Sequence, residues 1–80
     1  MKLLRMTPGE GDRLLVEGDP AVAEDHERLV AEFRRQLDLG MWAAVPTAAR
    51  GRREAVVVRD FAEVPGDADR VLFYPPAAGG

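Results

Sequence analysis

The chain has eighty residues, a net charge of −3 with acids and bases interspersed, one lysine against ten arginines, one histidine and no cysteine. A chain of this length forms one domain around one modest core, and without cysteine it has no disulfide, thiolate nucleophile, thiolate zinc site or iron–sulfur cluster. A single histidine leaves little from which to build a zinc site or a hydrolytic triad, and no basic face points to nucleic acid or an anionic membrane.

The first elements are short apolar runs. "KLLRM" and "RLLVE" flank "TPGEGD", whose Pro8, Gly9 and Gly11 are turn formers, so a β-hairpin is expected with a loop longer than two residues. Met1 and Lys2 lead into a strand-length run rather than a signal-peptide core, and no run is long enough to cross a membrane, which makes the cytoplasm the expected location.

"GDPAVAEDHERLVAEFRRQLDLG" carries the helix signals: Asp19 at an N-cap, Pro20 at the first helical position and Gly40 just past the end. Val22, His26, Leu29, Val30, Phe33 and Leu37 recur at steps of three or four, opposite Glu24, Asp25, Glu27, Glu32, Arg34 and Arg35. That spacing predicts one amphipathic helix of about five turns. His26 reads as a boundary residue at the edge of the core. Asp19, Glu24 and Asp25 serve the helix dipole rather than acid–base chemistry.

"MWAAV" follows as a strand ended by Pro46, with Trp42 expected in the core, the alternative being a partly exposed binding anchor. "REAVVVRDF" is the clearest strand by its β-branched content. The "TAARGRR" between them reads as a flexible connection with Arg50, Arg52 and Arg53 at a solvated tip. "AEVPGDAD" turns at Pro65-Gly66-Asp67 into the last strand, "RVLFY", which Pro75-Pro76 ends because they lack ladder donors. In that strand Val71 and Phe73 share one face and Leu72 and Tyr74 the other. Both pairs are apolar, so the strand is expected at the centre of the sheet, with one face against the helix and the other covered or open to a partner. Thr7 and Thr47 have no neighbouring base to make them nucleophiles. The element order is β-β-α-β-β-β, an α+β fold with one helix on one face of a four- or five-stranded sheet.

The tail has the form of a substrate handle. Pro75 and Pro76 stiffen its base and aim it away from the body. Ala77 and Ala78 keep it slim, and Gly79 and Gly80 permit close backbone approach in a narrow channel. A carboxylate presented in this way becomes an acyl donor once another enzyme activates it.

"GDADRVLFYPPAAGG", residues 66–80, resembles the C-terminus of the ubiquitin-like sulfur carriers, above all the small subunit of molybdopterin synthase. The thiamine-pathway sulfur carrier and prokaryotic ubiquitin-like modifiers share the terminal diglycine. The resemblance implies a β-grasp domain over residues 1–75, with a mixed sheet, and a flexible tail over 76–80. It implies that the Gly80 carboxylate is adenylated by an E1-like enzyme that uses ATP, with Gly79 as its slim neighbour and Leu72 and Tyr74 pressed against that enzyme. The acyl group would then pass to sulfur for delivery to an acceptor synthase subunit, or to an amine on a protein target from which a metallopeptidase could remove it. On this reading the chain has no catalytic residue, metal or cofactor of its own. The alternative is a small interaction module of the same fold with an inert tail.

Overall fold

The computed structural model describes residues 1–49 and 52–76, with the backbone alone described at 48, 49, 52 and 53. Strands β1 (Lys2–Thr7) and β2 (Gly11–Glu17) precede helix α1 (Ala23–Asp38). Strands β3 (Trp42–Ala49) and β4 (Arg52–Val58), a 3-10 turn (Phe61–Glu63) and β5 (Arg70–Tyr74) follow it. The five strands form one sheet in the order β2-β1-β5-β3-β4, in which β1 and β5 run parallel and the other neighbours antiparallel. With the helix on one face this is the expected α+β architecture, compatible with a β-grasp.

β1 and β2 close through Pro8-Gly9-Glu10, and Gly9 and Gly11 take the positive φ values of 81° and 77° that the loop requires. The hairpin carries a bulge: Leu3 pairs with Val16 and Leu4 with Leu14, which leaves Leu15 as the extra residue. The bulge resets the alternation. Val16 and Leu15 both pack on the core, whereas Leu14 stands on the opposite face beside Leu4.

The helix starts later than its sequence signals predict. Asp19 Oδ1 accepts from the Ala21 N–H and the Asp19 carbonyl from the Val22 N–H, so Pro20 and Ala21 belong to a turn. The N-cap is Val22, which supplies no side-chain cap. Asp25 reaches back from the first helical turn instead, its Oδ2 accepting from the Asp19 N–H at 2.9 Å. The far end follows expectation. The Gly40 N–H donates to the Leu37 carbonyl and the Met41 N–H to the Gln36 carbonyl, with Gly40 at φ 89°, which is a Schellman closure.

The buried stripe is also rotated from the predicted one. Leu29, Phe33 and Gln36 are buried, Val30 and Leu37 half-buried, and Val22 and His26 exposed. The sheet lies under the middle and C-terminal turns, so the first predicted apolar positions pass beyond its cover.

Two expectations about β3 and β4 fail for one reason. β3 does not end at Pro46 but runs to Ala49, and most of "TAARGRR" lies in the β3–β4 ladder, where Thr47 pairs with Glu54, Ala48 with Arg53 and Ala49 with Arg52. Beyond Ala44, β3 is paired with β4 alone, the edge-like situation in which a sheet accepts proline. Arg50 lies outside the described residues.

The core comprises Leu3, Leu29, Phe33, Met41, Ala43, Val45, Val58, Val64, Val71 and Phe73. Phe73 touches Phe33 edge to face at 5.6 Å, and Phe33 meets Phe61 in the same way at 5.7 Å. The turn before β5 forms as expected, the Ala68 N–H donating to the Pro65 carbonyl.

Candidate functional site

The site is built on β5. Strand β5 pairs with β1 on one side and β3 on the other, the central position predicted for a strand apolar on both faces. Val71 and Phe73 have no exposed surface and lie in the core under the helix. Leu72 and Tyr74 therefore stand on the face that the helix leaves uncovered, Leu72 half-buried and Tyr74 exposed.

Register joins Leu72 to a row that crosses all five strands. Leu14 pairs with Leu4, Leu4 with Leu72, Leu72 with Ala44, and Ala44 with Val57. Leu4 and Ala44 are sealed by their neighbours, whereas Leu14 and Val57 are about half exposed at the two edges. One step along the strands, Trp42 pairs with Tyr74. Trp42 is 52% exposed, which corrects its expected place in the core. Ala43 and Val45 face the helix, so alternation sends Trp42 to the other side.

This apolar surface borders Pro75 and Pro76. Pro75 and Pro76 follow Tyr74 without ladder bonds and are exposed. Ala77, Ala78, Gly79 and Gly80 lie outside the described residues.

The other side chains singled out by sequence are occupied locally. His26 is exposed and lies edge-on to the Phe61 ring at 5.4 Å. Among the described residues no three His, Cys, Asp or Glu side chains converge as a metal-binding group. Asp19 and Asp25 bind backbone N–H groups at the helix entrance. The Asp19 N–H, followed by the Arg28 guanidinium, holds the Asp25 carboxyl below the usual carboxylate range. The Thr47 hydroxyl donates to the Glu54 carbonyl at 3.4 Å. A concavity follows the outer side of α1, from His26 to Leu39, and is lined by that helix and its C-cap without a convergent set of polar groups from a second element. Among the described residues, no helix is long and apolar enough to cross a membrane.

Sequence reasoning missed Leu4, Leu14, Ala44 and Val57, and preferred the core for Trp42 over the exposed anchor position that it occupies. Alternation within "KLLRM" and "MWAAV" assigns each residue a face, but only pairing shows which of those faces are continuous. No protein family, no curated protein and no solved structure matches the chain.

Proposed function

We propose that the chain is a ubiquitin-like carrier whose Gly80 carboxylate is activated as an acyl adenylate by an E1-like enzyme. The carboxylate attacks the α-phosphorus of ATP and displaces pyrophosphate. Hydrosulfide or an amine then displaces AMP, giving a thiocarboxylate for sulfur transfer or an amide-linked conjugate. This chain contributes the acyl group and the docking surface, and its partners contribute the chemistry.

The observation that carries this reading is the continuity between surface and tail. The outward residues of β5, Leu72 and Tyr74, lie on an uncovered apolar face, and the chain leaves the sheet directly after them through Pro75 and Pro76. A partner seated on that face stands at the root of the segment that it would act on. Apolar contact supplies affinity there, and aromatic residues such as Trp42 and Tyr74 are the usual anchors of such contacts.

The test starts with intact mass spectrometry of the protein isolated from its cell, which must show Gly80 as the free C-terminus. The protein is then incubated with ATP and the E1-like enzyme encoded nearest to it. An adenylate, thiocarboxylate or conjugate at Gly80, lost on deletion of Gly79 and Gly80, is expected. If none forms and the deletion leaves the cellular phenotype unchanged, the interaction module with an inert tail replaces the carrier.

A further inference from the structure

On the helix side of the sheet, the row Val58, Ala43, Phe73 is core, and its continuation across β1 and β2 is Arg5 and then Arg13. Arg5 and Arg13 are direct cross-strand partners. Like charges placed directly opposite in a ladder destabilise it. The same hairpin shows the alternative at its other end, where Lys2 pairs with Glu17 and their charges lie 4.0 Å apart. Among the described residues neither Arg5 nor Arg13 has an ion-pair partner.

Both arginines line a concavity of about 310 Å3 between the β1–β2 loop and Pro75, shared with Thr7 and with one carboxylate, Glu10. Two guanidiniums against one carboxylate leave this hollow positive in a protein of net charge −3. Arg5 is half-buried beside Phe73, which limits the range of positions open to its guanidinium, while Arg13 is exposed and able to move. Paired guanidiniums with a neighbouring hydroxyl suit a tetrahedral oxyanion with several acceptor oxygens, because each guanidinium can donate two parallel hydrogen bonds.

We propose that Arg5, Arg13 and the Thr7 hydroxyl form a binding site for a phosphoryl group, of a nucleotide or of free phosphate. The anion neutralises the like-charge pair, so its binding is linked to the stability of the hairpin. Glu10 opposes the anion and keeps the affinity modest.

The experiment is an NMR titration of the whole chain with inorganic phosphate at constant ionic strength, with parallel titrations using ATP and acetate. Saturable amide shifts are expected at Arg5, Thr7 and Arg13, with a dissociation constant on the order of 1 mM. Arg13→Gln is expected to weaken binding about tenfold, the effect of losing a hydrogen bond to a charged group. Arg70→Gln, on the opposite face, leaves it unchanged. Phosphate raises the Tm of the wild type but not of Arg13→Gln. The variant itself, freed of the like-charge contact, melts no lower than the wild type without phosphate. ATP binding more tightly than phosphate, with additional shifts, marks a nucleotide as the source, and equal affinity marks the phosphoryl group alone. The proposal is overturned by the absence of saturable shifts up to about 10 mM phosphate, by acetate binding as well as phosphate, or by unaltered binding in Arg13→Gln.

Discussion

Trp42 and Tyr74 face each other across the β3–β5 ladder on the uncovered side of the sheet, 52% and 38% exposed. They close the apolar surface at the point where the chain departs through Pro75. Trp42 is the only tryptophan, so its fluorescence reports this placement directly. Acrylamide is expected to quench the native protein nearly as well as the urea-unfolded one. Trp42→Ala should cost less than about 1 kcal/mol in urea denaturation, the scale of one cross-strand pair. Emission shielded from quencher in dilute native protein would contradict the exposed site.

Phe73 is the opposite case on the same strand. It is fully buried and meets Phe33 edge to face. Phe73→Ala should lower stability by about 3–5 kcal/mol. A domain of this length is typically stable by only about 4–12 kcal/mol, so this loss removes a large share of the stability. Phe61→Ala should cost clearly less, since Phe61 is half-buried at the rim. Urea midpoints of the two variants check the order, and equal losses would contradict the assignment of Phe73 to the core.

Gln36 is 1% exposed, and among the described residues its Oε1 has no hydrogen-bond partner. Its backbone carbonyl receives the Met41 N–H and is independent of the side chain. Gln36→Met keeps similar length and removes the unsatisfied oxygen, so it should stabilise the fold by about 1–3 kcal/mol. Thermal and urea denaturation measure this. A destabilised variant would indicate that a buried water or another donor satisfies the amide in solution.

Asp25 links the helix entrance to pH. Its folded carboxyl is held below the usual range by the Asp19 N–H and then by Arg28. A depressed folded pKa contributes stability above the unfolded carboxylate pKa of about 4, and that stability fades as pH falls through the lower folded value. Asp25→Asn should therefore be less stable than the wild type at neutral pH, with the gap narrowing in acid. Urea midpoints measured from neutral pH down into the acid range test the sign, and a gap that widens in acid would refute it. Gly18→Ala should disturb the same contact, because a Cβ there would lie 2.9 Å from the Asp25 Cβ.

Local chemistry alone determined several elements of this protein. The β-branched run of β4, the turn at Pro65, the Gly40 helix end and the two-sided apolarity of β5 each follow from neighbours in the chain, and together they name the α+β class.

Tertiary structure decided the rest, because register and cover are set by residues far apart in sequence. Pairing with β5 on one side of β3, and its loss beyond Ala44, let the strand continue through Pro46. The helix chose the Ala43 face and so turned Trp42 outward. Its position over the sheet buried Gln36 and left Val22 and His26 outside. Pairing across five strands joined Leu14, Leu4, Leu72, Ala44 and Val57 into one surface and set Arg5 against Arg13. No single segment encodes those contacts; they exist only once the strands are brought into register around β5.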